Sequence, residues 1–232
     1  MDLVWQGLLR AGELLLRGDA EVWRIAWLTL RVAGTATLLS VVLGVPLGLL
    51  LALGRLPGTR LLITLANTGM GLPPVVVGLW TSLFLWRYGP LGSLGLIYTP
   101  AAMVLAQAII ATPIVAGFTL AGIASQDPRL GLQLLGLGAS RLQLYRLLIR
   151  EARIAILAGV IAGFGAVVSE VGASMMVGGN IRGQTRVLTT ATVLEVGRGN
   201  FEVAIALSLI LLLLAYAVTA VLTVLQQRGR VR

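Results

Sequence analysis

The chain has 232 residues, 57% of them apolar and 12% charged, with a mean hydropathy of +0.94; a soluble domain of this size needs far more polar surface. Eighteen arginines stand against nine acids, a net charge of +9, and the chain has no lysine, histidine or cysteine. Those absences exclude a disulfide framework, a thiol nucleophile, a Schiff base, a histidine general base and a lysine-bearing phosphate loop, so any ATP hydrolysis belongs to another polypeptide.

The composition is that of an all-α integral membrane protein, in which an arginine surplus sets topology rather than marking a nucleic-acid partner. Residues 1–29 do not fit a cleaved signal peptide, because Asp2, Glu13, Asp19 and Glu21 interrupt any apolar run. Trp5, Trp23 and Trp27 suit an interfacial, amphipathic lead-in. Five apolar stretches then follow, at about 30–52, 61–86, 101–123, 154–177 and 203–225, each long enough for one helical crossing. Pro46, Pro73, Pro74 and Pro113 fall inside these stretches and favour a packed bundle, where neighbouring helices satisfy the freed carbonyls. Gly44 with Gly48, and Gly159 with Gly163, form small faces suited to close helix approach, within one chain or between two.

Arginine counts orient the spans. One side carries Arg55, Arg60, Arg129, Arg141, Arg146, Arg150, Arg153, Arg228, Arg230 and Arg232, ten in about 45 residues. The other carries Arg10, Arg17, Arg24, Arg87, Arg182, Arg186 and Arg198, seven in about 68, with Arg31 at a span edge. The dense side is expected to be cytoplasmic, which puts the N-terminus outside and the C-terminus, with a basic tail over 226–232, inside.

The longest internal connection, about 124–153, holds "DPRLGLQLLGLGASRLQLYRLLIREAR". Leu130, Leu134, Leu137, Leu144 and Leu148 are expected on one helical face, with Arg141, Arg146 and Arg150 elsewhere. Gly136 and Gly138 divide the run into a helix, a turn and a second helix entering the membrane. Such a segment suits either the anionic inner leaflet or a cytoplasmic partner.

The fourth span ends in "SEVGASMMVGGNIRGQTRVL" (169–188), and the connection over about 178–202 lies on the outer side. Glu170 is an ionisable group within a span, where the charge costs at least about 2.5–3.5 kcal/mol at the bilayer centre unless paired or wetted. Near the outer face it can accept backbone hydrogen bonds or pair with Arg182 or Arg186. A carboxylate repels an anion, so structure suits it better than substrate binding. Gly178, Gly179, Asn180 and Gly183 can bend successive N–H groups toward one concavity, and Arg182, Gln184, Thr185 and Arg186 add donors suited to a tetrahedral oxyanion. The alternative is a glycine-rich turn with solvated arginines. The stretch is no nucleotide loop: Gln184 stands where a lysine would precede Thr185.

Two segments carry a family resemblance. Around Gly138 the chain resembles the permease subunits of bacterial and archaeal ABC importers, whose cytoplasmic loop has a Glu-Ala-Ala motif, a glycine and a terminal Leu-Pro. Gly138 matches the glycine, while Leu132, Gln133 and Leu134 stand at the Glu-Ala-Ala positions and Arg150 and Glu151 at the Leu-Pro. The 169–188 stretch is similar to the Glu-x-Gly-Ala and Gly-Asn-Ile-x-Gly-x-Thr signature of tungstate, molybdate and sulfate permeases. "GLPPVVVGL" (71–79), "GPLGSLGLIYTP" (89–100) and "TTATVLEVGRGNFEVAIALSL" (189–209) look most like the tungstate type.

The resemblance implies a type I ABC importer permease fold in the cell membrane, paired with a second copy. It implies a cytoplasmic ABC ATPase dimer that binds ATP and Mg, no cofactor in this chain, and an extracytoplasmic oxyanion-binding protein. Leu134, Leu137, Gly138, Ala139, Ser140 and Arg141 would form the ATPase-coupling loop. Glu170, Gly172, Gly179, Asn180, Arg182, Gly183, Thr185 and Arg186 would form the outer gate or substrate pathway. The expected function is ATP-driven import of tungstate or a related tetrahedral oxyanion by alternating access, without catalytic residues. A stand-alone anion channel or secondary transporter is the alternative, and it would need coupling-ion sites for which only Glu170 is a candidate.

Overall fold

A computed structural model of the chain describes residues 2–16, 19–54 and 58–228. Arg17, Arg55, Arg230 and Arg232, four of the arginines counted for topology, lie outside the described residues, as do residues 229–232 of the basic tail. The described residues are helical with short connections. Helix α1 (Asp2–Leu16) is followed by α2 (Ala20–Leu53), whose N-terminus is capped by the Asp19 carboxylate accepting the N–H groups of Glu21 (2.9 Å) and Val22 (3.0 Å). At 1.5 Å per residue α2 is about 51 Å long, far more than the roughly 30 Å apolar layer. Trp23 and Trp27 lie in its first turns, continuous with the first expected span and not in a separate lead-in helix.

The second expected span, 61–86, is not one helix. It divides into α3 (Thr59–Met70) and α4 (Pro74–Leu85), bent by 103°. The cause is local: Gly71 ends α3, and Pro73 and Pro74 cannot continue it but suit the first positions of a new helix. Hydropathy runs straight through this break, so the sequence pattern alone predicts a single crossing. A 3-10 turn (Gly92–Leu94) leads to α5 (Pro100–Ala124), capped by Thr99.

α5 is apolar on every side and sits at the centre, in contact with α2, α3, α4, α8 and α9. Small residues make this possible. A Cβ at Gly44 would fall 2.9 Å from the Thr112 carbonyl oxygen, and one at Gly48 2.5 Å from that of Ala116. Gly159 likewise faces Phe118 and Gly163 faces Ala111. Both glycine pairs thus serve packing within the chain, of the two roles they admitted. The order of these contacts shows α2 and α5 running parallel and α8 antiparallel to them.

Beyond α5 come α6 (Pro128–Gly136), α7 (Arg141–Glu151) and α8 (Arg153–Val168), with α7 and α8 bent by 64°. The glycine-turn-helix reading of this connection matches the structure, with one correction. Leu144 and Leu148 are buried on α7, but Leu137 sits in the turn and is 85% exposed, because the break after Gly136 removes it from the helical register that the leucine spacing assumes.

The fourth span is also shorter than its apolar run: α8 stops at Val168, and Ser169–Val171 separate it from a short α9 (Gly172–Gly178). α10 (Leu188–Gly197) and α11 (Phe201–Arg228) complete the chain. α11 runs alongside α2, with α1 packed on its first half at Gly7 and Ile205. Three of these helices are long and apolar enough to cross a membrane, or up to five if each bent pair is one crossing.

Candidate functional site

The N-terminal ends of α2, α5 and α11 gather at one end of the bundle with residues 178–198. The C-terminal ends gather at the other with α6 and α7. At the first end, α9 stops where Gly179 takes the left-handed conformation (φ +70°), which its lack of a side chain permits and which lets the Tyr98 ring lie where a Cβ would be. Asn180 follows at φ +51° and Gly183 at φ +76°. The loop so formed closes on itself. The Ile181 carbonyl accepts from the N–H groups of Gln184, Thr185 and Arg186, and the Thr185 hydroxyl, fully buried, accepts from Ile181 N (2.9 Å) while donating to the Gly178 carbonyl.

The N–H groups of Ile181, Gln184, Thr185 and Arg186 are therefore spent inside the loop. Arg186 is held against Asn180, donating from Nε to Oδ1 (3.3 Å) and from Nη2 to the carbonyl (3.4 Å). Asn180 in turn donates to the Thr190 carbonyl (3.3 Å), and Leu188 N donates to the Thr29 hydroxyl (2.9 Å), which ties α10 to α2.

Glu21, on the first turn of α2, bridges both loop arginines. Arg182 makes a two-pronged contact, with Nε donating to Oε1 (2.7 Å) and Nη2 to Oε2, and Arg186 Nη1 lies 3.8 Å from Oε1. The Glu21 carboxylate raises the pKa of the Arg182 guanidinium further, so Arg182 is a cation at any working pH. Two cavities flank the bridge. One, about 420 Å³, is bounded by Glu21, Arg24, Leu28, Arg182, Gly183 and Arg186. The other, about 340 Å³, reaches Arg10, Glu195 and Arg198.

Arg182, Gly183, Thr185, Arg186, Gly179 and Asn180 are thus brought together. Glu170 and Gly172 are not part of that group. Glu170 lies in the break between α8 and α9, 8% exposed, where its Oε1 accepts the Ala173 N–H (2.8 Å) and its carbonyl accepts the Thr189 hydroxyl (3.1 Å). Backbone capping, one of its two expected partners, is what it has; its pairing with Arg182 or Arg186 is not formed, because Glu21 takes both. Gly172 begins α9 against Val75, where a Cβ would come within 2.8 Å of Cγ2.

Glu21 and Arg24 were missed as site residues. The available signal for Arg24 was its place among the outer-side arginines, and for Glu21 its charge within the N-terminal segment on that side.

At the opposite end, Gly138 takes φ +85° with open space around it, so conformation rather than crowding requires glycine. Ser140 caps α7 in a reciprocal pair with Gln143, with Ser140 N donating to Oε1 (2.7 Å) and Gln143 N to Oγ (3.3 Å). Leu137 and Arg141 are exposed beside it, with Leu134 and Ala139 half-buried. Gln126 Nε2 donates to the Leu148 carbonyl (2.9 Å), which fixes the end of α5 to α7.

The described residues thus form a multi-pass helical bundle with broken spans, an exposed helix-turn-helix at one end and an arginine-lined mouth at the other. The chain belongs to the binding-protein-dependent transport system inner membrane component family, whose model matches residues 44–231. It is 38% identical over 230 residues to the tungstate uptake system permease protein TupB of Peptoclostridium acidaminophilum, covering 98% of this chain and 100% of that one. It is 39% identical over 201 residues to a probable anion ABC transporter permease protein of Haloferax volcanii, covering 84% and 87%. Among solved structures, the inward-facing MetNI methionine ABC transporter matches with a TM-score of 0.74 at 19% identity, over 90% of this chain and 96% of that one. The fold is that of a type I ABC importer permease.

Proposed function

We propose that this chain is the membrane-spanning subunit of an ATP-driven importer for tungstate or a related tetrahedral oxyanion. The observation that carries the reading is the 38% identity to a tungstate permease along the whole of both chains. The working unit contains a second copy of this chain, two cytoplasmic ATPase subunits that bind ATP and Mg, and an extracytoplasmic oxyanion-binding protein. The N-terminus lies outside and the C-terminus inside, in keeping with the arginine distribution.

The exposed turn at Leu137 and Gly138, with Leu134, Ala139, Ser140 and Arg141, meets the ATPase. ATP-driven closure of the ATPase pair displaces this turn and reorients the spans between inward- and outward-open states. Glu170, Gly172 and the 179–186 loop form the outer gate. Reconstitution with the ATPase and the binding protein tests the reading: tungstate accumulates only with ATP and both partners. Tungstate movement through the chain alone, down a gradient and without ATP, would favour a channel or secondary transporter instead.

A further inference from the structure

We propose that the cavity between α2 and the 179–186 loop is a binding site for a tetrahedral dianion, and that Glu21 is its built-in competitor, a carboxylate that holds the site closed until an incoming anion displaces it. The inference rests on the importer reading and adds to it a ligand site and a latch. Three guanidinium groups, Arg24, Arg182 and Arg186, face this cavity with one carboxylate, Glu21, leaving a net charge of two positive to match a dianion.

The geometry of the Glu21 contact is that of an oxyanion contact. Two carboxylate oxygens take two prongs of Arg182, and one of them also faces Arg186, as two oxygens of a tetrahedral anion would. Arg24 has no ion-pair partner among the described residues and borders the same cavity, so it supplies a cation that Glu21 leaves unused.

The latch is weak enough to exchange. Arg182 is 73% exposed and Glu21 37%, and ion pairs at such exposure contribute little. Arg186 is better held, at 14%, so it stays in place as Arg182 lets go. Releasing Glu21 also has a mechanical consequence. The pair joins two points 161 residues apart and fastens the start of the first span to the loop that follows α9. Displacing the carboxylate exchanges this direct contact for one through the anion, held by Arg24 from α2 and by Arg182 and Arg186 from the loop, so arrival of the anion widens the gap between α2 and the loop.

The chain has no cysteine, so the test uses paired labels on the full chain, assembled with its ATPase subunits. Trp23→Cys and Gln184→Cys, both exposed positions outside the cavity lining, carry spin labels whose separation is read by pulsed electron resonance. Sodium tungstate is expected to lengthen the α2-to-loop distance saturably, whereas sodium chloride at matched ionic strength does not. Glu21→Gln is expected to show the longer distance without any anion and to lower the half-saturating tungstate concentration about fivefold, the scale of one modest exposed ion pair. Glu202→Gln removes an exposed carboxylate at the same end that touches neither loop arginine, and should leave both readings near wild type. Arg182→Gln with Arg186→Gln should abolish saturable binding.

Equal lengthening by chloride, or identical tungstate titrations for Glu21→Gln and the unsubstituted chain, would overturn the latch. ATP-dependent tungstate uptake by the same reconstituted complex separates the two readings: uptake without the distance response overturns the latch alone, and a complex that transports no oxyanion overturns the importer reading itself.

Discussion

Replacing Glu170 discriminates between a charge that pairs across the gate and a side chain that caps a helix break. Its Oε1 accepts the N–H of Ala173, a fully buried residue, at 2.8 Å, and no arginine stands within ion-pair distance among the described residues. Glu170→Ala leaves that buried N–H without an acceptor, at a cost of about 1–3 kcal/mol. Glu170→Gln keeps a carbonyl oxygen at the same reach and loses only the charge assistance, about 1 kcal/mol. For a chain of this length each kcal/mol moves the thermal midpoint by about 2–4 °C, so the alanine variant is expected to fall by about 2–12 °C and the glutamine variant by no more than about 4 °C. Thermal unfolding in one detergent, followed by circular dichroism, gives the comparison. In the assembled transporter, basal ATPase turnover should rise for alanine and stay near wild type for glutamine. A glutamine variant as unstable and as leaky as alanine would refute the capping argument, because the charge rather than the acceptor would then be the functional element.

Gly138→Ala is expected to cost about 1–2 kcal/mol through its left-handed backbone (φ +85°) and not through a clash, since no atom lies within 4 Å; stimulated ATPase activity should fall with membrane insertion unchanged, and Gly138→Asn should retain more of it. Gly48→Ala drives a Cβ to within 2.5 Å of the Ala116 carbonyl oxygen and should destabilise the α2–α5 pair by about 1–3 kcal/mol, read as a lowered thermal midpoint. Thr185→Val removes both the donor to Gly178 and the acceptor for Ile181 in a fully buried setting; uptake should be lost while expression persists, and wild-type uptake would show that the loop does not depend on this closure.

Much of this was legible in the sequence for a physical reason: a bilayer demands long apolar runs, so hydropathy located the spans, and glycine is costly inside a helix, so Gly136 and Gly138 marked the turn between α6 and α7. What hydropathy cannot register is direction. The run 61–86 is equally apolar straight or bent, and only Gly71 with Pro73 and Pro74 marks the 103° break. Leu137 went astray for a related reason, since its spacing assumes a helix that stops one residue earlier. The Glu21 bridge was beyond reach in another way. Nothing in local sequence couples residues 161 apart, and the outer side offered several arginines to several acids. The sequence therefore located the charged end but left its pairing to the tertiary fold.

The two ends of the molecule are joined by the same pair of helices. Tyr98 N donates to the Val177 carbonyl (2.8 Å) just before α5, which attaches its start to α9, and Gln126 attaches its end to α7. Midway, Gln107 Nε2 donates to the Ser174 hydroxyl (3.1 Å). α8 repeats the pattern from the other side, with Ala152 and Ala155 packed on Gly122 at its start and the Glu170 break at its end. A displacement of the α6–α7 turn therefore bears on the end of α5 and the start of α8, the two helices whose far ends adjoin α9. Packed helices do not stretch, so the displacement travels as rigid-body motion through contiguous contacts. The Oε1 atoms of Gln107 and Gln126 are buried and have no partner among the described residues. Buried acceptors without partners are costly, and both sit at joints of this path.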